Sequence, residues 1–341
     1  MSRPIWVTEA EVVDLLDLPG AIDVLGRGLP GEARGEGVSS SKAHAAWDEG
    51  GGHAALHAVG GALPHDQLAG MKTWAHTPGG ACPLLVLFDS ASGQLVGVVE
   101  AFALGQMRTA AMSGLATDLL ARDDAQVLAV AGSGKQSLAQ VAAVIAVRPI
   151  KRVVVWSRSA NNAARFAQRV TDELGVDSRT ASSAEALVSE ADVITLATRA
   201  TTPFLTISMP RVGSHVNAIG AITPERAEFD AAMLERADVV AVDSVGQARE
   251  LASELQAAFG ASDERWARVR TLSDLLATGA RRPSEADVTV FKALGLGLAD
   301  VVLGSHVLQR ARSQSVGRPL DPPRRASPRL TRLAHREADH V

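Results

Sequence analysis

The strongest constraint on the fold is a glycine turn between an apolar run and an alanine-rich segment. Residues 126–131 read Gln-Val-Leu-Ala-Val-Ala, a Gly-Ser-Gly-Lys-Gln turn follows, and residues 137–146 have the composition of a helix. A second apolar run, 152–157, falls where the next parallel strand of a βαβ unit belongs. A buried strand, a tight turn and a helix N-terminus together make a pyrophosphate site. The sequence therefore predicts a dinucleotide-binding fold and redox chemistry.

The residues of this turn have distinct expected roles. Gly132 permits the tight turn and Gly134 lets backbone approach a phosphate, while Ser137 replaces the usual third Gly or Ala with another small residue. The predicted cofactor-binding residues of the turn are Gly132, Ser133, Gly134, Lys135 and Gln136.

Strands and helices alternate after the glycine turn. The predicted strands are 126–131, 152–157, 192–197, 214–219 and 238–242, with helices at about 136–147, 160–174 and 183–190 between the first of them. This alternation is typical of an α/β fold with a doubly wound parallel sheet of the Rossmann type. Residues 36–106 instead alternate short apolar runs with turn residues, which predicts β-hairpins, and residues 104–120 read as a helix.

The end of the second strand indicates which dinucleotide binds. An Asp or Glu there would bind the ribose 2′-hydroxyl of NAD, whereas an Arg accommodates the 2′-phosphate of NADP. The strand ends in Ser157, Arg158 and Ser159, with no acid. Charge-assisted hydrogen bonds from these residues would hold a phosphate. We therefore expect NADP(H) to be preferred over NAD(H).

Composition excludes several other classes of protein. The 341 residues carry a net charge of −4, with 46% hydrophobic and 21% charged residues, which suits about two globular domains and gives no reason to expect nucleic-acid binding. A single cysteine, no signal-peptide-like N-terminus and no apolar run long enough for a membrane predict a cytoplasmic protein. Scattered histidines predict no metal site. The tail 313–341, rich in Arg, Pro and Ser, is predicted to be disordered.

Four further segments, taken with the glycine turn, resemble the ornithine cyclodeaminase/μ-crystallin family. They occur in that family's order and are Met107–Ala116 (Met-Arg-Thr-Ala-Ala-Met-Ser-Gly-Leu-Ala), Asn217–Gly220, Pro224 with Glu228, and Phe291–Asp300. The resemblance implies a substrate-binding and dimerisation domain from residues 1–121 and 294–312, and a Rossmann domain from 122–293. It also implies a homodimer that joins the β-sheets of the first domain.

The resemblance also implies roles for single residues. Arg108 matches a pyrophosphate-contacting arginine, which agrees with the geometry of a guanidinium fork. Thr198 matches a threonine beside the cofactor, and Arg226 falls where the family usually has a cofactor-contacting lysine. Lys72, in Gly-Met-Lys-Thr-Trp, matches the lysine at the substrate, where a cation binds a carboxylate or polarises a C=N bond. The family's second substrate cation has no clean match, and Lys42 is the nearest candidate.

One departure from the family bears directly on the reaction. Ornithine cyclodeaminases have an aspartate two residues after the glycine that corresponds to Gly220, and this chain has Ile222. Isoleucine cannot transfer a proton, so the sequence favours a simpler hydride transfer between nicotinamide and the α-carbon of an imino, keto or amino acid. Glu225 and His76 are the candidate proton donors. The alternatives are an ornithine cyclodeaminase with a relocated acid and a non-catalytic NADP-binding protein.

Overall fold

The computed structural model describes residues 3–49 and 52–330. The N-terminal third folds into a sheet with helices packed on one face. Its elements are β1 (Ile5–Val7), α1 (Glu9–Leu15), α2 (Leu18–Gly28), α3 (Pro30–Ala33), β2 (Val38–Ser39), β3 (Ala43–Glu49), β4 (Gly52–Leu63), a 3₁₀ turn (Pro64–Asp66), β5 (Leu68–Thr77), β6 (Gly80–Ala81), β7 (Leu84–Asp89), β8 (Leu95–Glu100) and α4 (Phe102–Leu120).

The second part of the chain alternates strands and helices around a parallel sheet. Its elements are β9 (Val127–Ala131), α5 (Ser137–Val147), β10 (Arg152–Trp156), α6 (Ala160–Leu174), β11 (Asp177–Thr180), α7 (Ala184–Val188), β12 (Val193–Leu196), β13 (Ser214–Ala218), α8 (Met233–Arg236), β14 (Ala237–Val242), α9 (Val245–Leu251), α10 (Ser253–Phe259), α11 (Asp263–Trp266), β15 (Val269–Thr271), α12 (Leu272–Thr278) and β16 (Val288–Lys292). The chain then returns to the first sheet through α13 (Gly297–Ser313) and β17 (Arg318–Pro319).

Strand pairing confirms the predicted α/β class. The second sheet has the order β11-β10-β9-β12-β13-β16-β14-β15 and every pair in it is parallel. Its central strands are apolar and buried on both faces, as expected when helices cover both sides. The strand order reverses at β9. From β9 the chain adds β10 and β11 on one side, and it then crosses to add β12 on the other side. Ligands of such sheets bind at this switch point, at the carboxyl ends of the strands.

The first sheet is mixed and has two different faces. Its order is β17-β1-β8-β7-β5-β4-β2, with β3 paired to β4 and β6 to β5. Side chains alternate between the faces along each strand. Lys72 of β5 pairs with Val59 of β4 on the inner face, and the neighbouring Met71 pairs with Gly60 and points to the other face.

Two helices connect the two sheets. Helix α4 is buried on nearly all sides because it packs against α2 and α13 as well as α5, β13 and β16 of the second part. Helix α13 starts in very close contact with β4: a Cβ added to Gly297 would lie 2.4 Å from the backbone nitrogen of Gly60. This glycine pair lets the first turn of α13 approach the inner face of β4 and β5.

Several local expectations need correction. The segment predicted to be disordered begins with regular structure, because Ser313 ends α13 and Arg318–Pro319 form β17. Arg318 and Pro319 pair antiparallel with Trp6 and Ile5. Residues 331–341 of the predicted tail lie outside the described residues. The edge strands β11 and β15 and the inner strand β16 were not predicted as strands.

Candidate functional site

The glycine turn has the geometry of a phosphate-binding site. Gly132 has φ 113°, and a Cβ there would lie 2.4 Å from the carbonyl oxygen of Ala197. A Cβ on Gly134 would meet nothing within 4 Å, so this backbone faces open space. Helix α5 begins just beyond, at Ser137. The buried Oγ of Ser137 and Oε1 of Gln136 have no hydrogen-bond partner among the described residues. A bound dinucleotide fits this arrangement.

A cavity of about 830 Å³ opens in front of the turn. It brings together all predicted cofactor-binding residues except Arg108, namely Gly132, Ser133, Gly134, Lys135, Gln136, Ser157, Arg158, Ser159, Thr198 and Arg226. Four basic side chains and no carboxylate line it, within the part of the chain that the structure describes. We call it the first cavity. Its charge matches a ligand with several phosphates.

The end of β10 presents one exposed cation between two partly buried serines. Ser159 caps α6 by accepting a hydrogen bond from the backbone of Asn162, and the Oγ of Ser157 accepts one from Ser159 N at 3.2 Å. The Arg158 guanidinium makes no hydrogen bond or ion pair with the residues described here and borders the first cavity. It is free to bind an anion.

Glu228 fastens the two loops on the far side of the first cavity. Its Oε1 accepts hydrogen bonds from Thr198 N and Oγ1 at 2.6 and 2.8 Å. Its Oε2 accepts from Gly220 N and Ala221 N at 2.8 and 3.1 Å. The loops touch so closely that a Cβ on Gly220 would lie 2.1 Å from Thr198 O. Thr198 therefore borders the cavity with its hydroxyl proton already used. The family resemblance includes Glu228 but assigns it no role. Its contacts join loops that are separate in the sequence, so they become visible only in the structure.

A second cavity of about 540 Å³ adjoins the first. The two share five lining residues: Lys135, Gln136, Arg199, Ile219 and Ile222. The predicted substrate residues Lys42 and Lys72 line the second cavity, and so do Trp74 and His76. Ile222, which replaces the family's aspartate, lies where the cavities meet. The structure thus places an apolar side chain between the predicted cofactor and substrate positions.

Asp300 organises the cations of the second cavity. Its Oδ1 accepts hydrogen bonds from Lys72 Nζ at 2.7 Å and Arg108 Nε at 3.1 Å, and all three side chains are buried. Burial alone would raise the pKa of Asp300, but the charges of Arg108 and Lys72 outweigh it and hold that pKa below its usual value. For Lys72, burial outweighs the attraction of Asp300 and lowers the pKa to about 8.

Arg108 is the one predicted cofactor-binding residue that does not line the first cavity. It lines the second cavity and not the first, because α4 carries it to Asp300 on α13. Only its Nε has a hydrogen-bond partner among the described residues, and a Cβ on Gly295 would lie 3.5 Å from its Nη1. The structure groups Arg108 with Lys72 rather than with the glycine turn.

Lys42 and Lys72 both lie near the aromatic ring of Trp74. Their ammonium groups lie 5.8 and 5.4 Å from the centroid of the Trp74 ring, within range of a cation–π interaction. His57 stacks on the same ring at 4.9 Å, and burial followed by the charge of Lys42 lowers its pKa to about 4. Burial, followed by the charge of Arg108, also lowers the pKa of Lys42.

The two candidate proton donors differ in position. His76 lines the second cavity, whereas Glu225 is exposed and lines neither cavity. The described part of the chain contributes one carboxylate to the lining of either cavity, that of Asp243 at the carboxyl end of β14. Sequence reasoning missed it, although an acid directly after a buried parallel strand is a signal for a site.

Two further features, a membrane-spanning helix and a cluster of metal ligands, are absent from the described residues. Among residues 3–49 and 52–330, no helix combines the length and apolarity required to cross a bilayer. In the same ranges no three His, Cys, Asp or Glu side chains come together as a metal site would require.

Comparison with known proteins agrees with this geometry. The model of the ornithine cyclodeaminase/mu-crystallin family matches residues 72–315. A Delta(1)-pyrroline-2-carboxylate reductase of Bacillus cereus is 32% identical over 239 residues, which cover 69% of this chain and 72% of the relative. The ketimine reductase mu-crystallin of Mus musculus is 33% identical, covering 65% and 67%. The iminosuccinate reductase of Paracoccus denitrificans, solved with NAD+, superposes with a TM-score of 0.87 at 26% identity, covering 94% and 100%.

The buried ion pairs of Asp300 generate a stability prediction. Asp300→Asn leaves Lys72 and Arg108 close together with no counter-charge, and loss of one partner from a buried pair costs about 3–5 kcal/mol. We expect the free energy of unfolding, measured by urea denaturation at pH 7, to fall by about this amount. Asp263→Asn removes a pair with Arg249 in which the aspartate side chain is 88% exposed, and serves as the control. Equal effects of the two substitutions would contradict the prediction.

Proposed function

The chain belongs to the ornithine cyclodeaminase/mu-crystallin family, and we propose that it is an NAD(P)H-dependent imine reductase acting on imino acids. The observation that carries the proposal is the junction of the two cavities. The first cavity, with its glycine turn and basic lining, meets a cationic cavity lined by Lys72 and Arg108, and the apolar Ile222 is among the five residues that line both. That arrangement suits hydride transfer to a carbon next to a carboxylate.

The first cavity would hold the cofactor through backbone and cations. The turn at Gly132 and Gly134 and the N-terminus of α5 are suited to the pyrophosphate. Arg226 and Lys135 add positive charge along the walls. When bound, the reduced nicotinamide supplies the hydride. The chain's contribution is to orient the cofactor and to exclude water around the transfer.

The second cavity would bind an imino acid by its carboxylate. Five lysine and arginine side chains line it against one acid: Lys42, Lys72, Lys135, Arg199 and Arg108. The two Nη atoms of Arg108 make no hydrogen bond with the described residues, so they are suited to a bidentate carboxylate contact. We therefore assign Arg108 to the substrate in place of the pyrophosphate. Lys72, held by Asp300, would polarise the C=N bond.

The other two candidate functions have less support. Ornithine cyclisation with loss of ammonia needs an acid/base where this chain has Ile222, and isoleucine transfers no proton. A binding protein without catalysis has no use for a buried lysine whose pKa is lowered to about 8 beside the predicted cofactor.

A substrate screen tests the proposed reaction. We expect the protein to consume NADPH with a cyclic imine such as 1-pyrroline-2-carboxylate or 1-piperideine-2-carboxylate, or with a 2-keto acid plus an amine, followed by absorbance. Incubation with L-ornithine and NAD+ is the companion assay. Stoichiometric proline and ammonia from ornithine, with no imine reduced, would overturn the proposal.

Lys72→Met tests the lysine assigned to the substrate. We expect kcat/KM for the imine to fall about a hundredfold, since one preorganised donor is worth that much. In the wild type, KM should rise above pH 8, because Lys72 loses its proton as the pH passes its pKa of about 8. The exposed Lys151→Met is the control. A Lys72→Met enzyme with wild-type turnover and the same pH dependence of KM would remove Lys72 from the mechanism.

We also propose that NADP(H) is preferred, on the strength of Arg158 and its two serine neighbours. Arg158→Ala should raise KM for NADPH about tenfold, since a charge-assisted hydrogen bond is worth about 1.5–3 kcal/mol. KM for NADH should change little. Arg169→Ala, on α6 and paired with Glu173, is the control. Preference of the wild type for NADH would sink this assignment.

A homodimer is proposed from the outer face of the first sheet. Trp47, Leu56, Met71 and Phe88 share this face by strand register and are 37–48% exposed. Such a patch marks an interface. We expect a dimer in sedimentation experiments, and a shift to monomer for Leu56→Glu but not for Val13→Glu on α1. A wild-type monomer at micromolar concentration would exclude it.

A further inference from the structure

Reduction of an imine needs a proton as well as a hydride, and Ile222 stands where ornithine cyclodeaminases have their acid. The missing donor has to reach the second cavity, be shielded from bulk water and have an oxygen free of other partners. The carboxylate of Asp243 meets these conditions. It lines the second cavity, its side chain is nearly fully buried, and its Oδ1 has no hydrogen-bond partner among the described residues.

Backbone contacts fix the orientation of this carboxyl group. Its Oδ2 accepts hydrogen bonds from Leu294 N at 2.8 Å and Gly295 N at 2.5 Å, in the loop between β16 and α13. Gln247 of α9 donates to Gly295 O at 2.8 Å and holds the same loop. With Oδ2 occupied as an acceptor, a proton on Asp243 sits on Oδ1.

We propose that Asp243 is the proton donor to the imine nitrogen, an inference that rests on the proposed imine reduction. The imine carbon gains hydrogen with both its electrons from the reduced cofactor, and the π electron pair of the C=N bond moves to nitrogen. That nitrogen takes the proton from Oδ1, and Asp243 is left as a carboxylate. Water reprotonates it before the next turnover. In the reverse direction the carboxylate accepts the proton from the amine.

The charges around Asp243 allow it to carry this proton. Burial raises its pKa, and the two backbone hydrogen bonds and Arg108 oppose that shift without cancelling it. Arg108 on α4 is itself paired with Asp300 on α13, which also holds Lys72 of β5. On the neighbouring strand β16, Lys292 pairs with Glu254 of α10. Lys42, Lys135, Arg199 and His76 are the other basic groups around the cavity.

Asp243→Asn is the variant that tests the proposal. The asparagine Oδ1 can still accept from Leu294 N and Gly295 N, so the fold and the affinity for NADPH, measured by fluorescence, should be unchanged. We expect kcat for imine reduction to fall about a hundredfold or more. The wild-type kcat/KM for reduction should fall as the pH rises through the pKa of Asp243, and this limb should be missing in Asp243→Asn. Retention of wild-type kcat and of the same pH profile would overturn the proposal.

An infrared titration of the cofactor-free protein gives a readout that does not depend on activity. The carbonyl stretch of a protonated carboxylic acid should persist in the wild type above the pH at which an exposed aspartate ionises, and it should be missing in Asp243→Asn but not in the control Asp263→Asn. Absence of any difference between wild type and Asp243→Asn would mean that Asp243 is ionised at rest, which overturns its role as donor. A wild type that shows the band and reduces no imine would refute the proposed function instead.

Discussion

The buried carboxylate of Asp300 is the interaction on which the site depends. It joins three elements that are distant in sequence, since β5 supplies Lys72, α4 supplies Arg108 and α13 supplies Asp300. Removing three charged groups from water carries a large desolvation cost, which the mutual attraction and hydrogen bonds offset only in good geometry. One negative charge against two positive ones leaves the cluster with a net positive charge. The cluster is therefore a structural bridge, and its net positive charge suits the carboxylate proposed to bind beside it.

Close backbone packing makes that bridge possible. Asp300 reaches Lys72 because α13 starts against β4, where both Gly297 and Gly60 lack a side chain. Helix α4 then carries the cluster to the second sheet, whose strands β13 and β16 it contacts. The cations proposed to bind the substrate are thus positioned by the same packing that fixes one sheet relative to the other. Their placement beside the carboxyl ends of the parallel strands follows from this connection.

The local parts of this architecture could be predicted, and the long-range parts could not. The glycine turn, β9, α5 and β10 follow from apolar runs and turn residues that are contiguous in sequence. β11 escaped prediction because it is a short edge strand with no apolar run, and β17 because its pairing with β1 spans nearly the whole chain. The side-chain pairs of Asp300 and the buried position of Asp243 are likewise products of tertiary contact. Arg108 shows the same limit, since its motif is readable but its partner lies 192 residues away.

Ile222 and Asp243 differ both in chemistry and in position, since Ile222 lines both cavities and Asp243 lines the second. Ile222, one of the five residues that line both cavities, offers no proton and adds no charge. Asp243 lines only the substrate side, with one oxygen held by backbone and the other free. An apolar side chain at this junction lowers the local polarity, which would strengthen the effect of Lys72 and Arg108 on the carboxylate proposed to bind there. With isoleucine at position 222, the proposed mechanism therefore assigns proton transfer to a different group, Asp243, on the side of the second cavity.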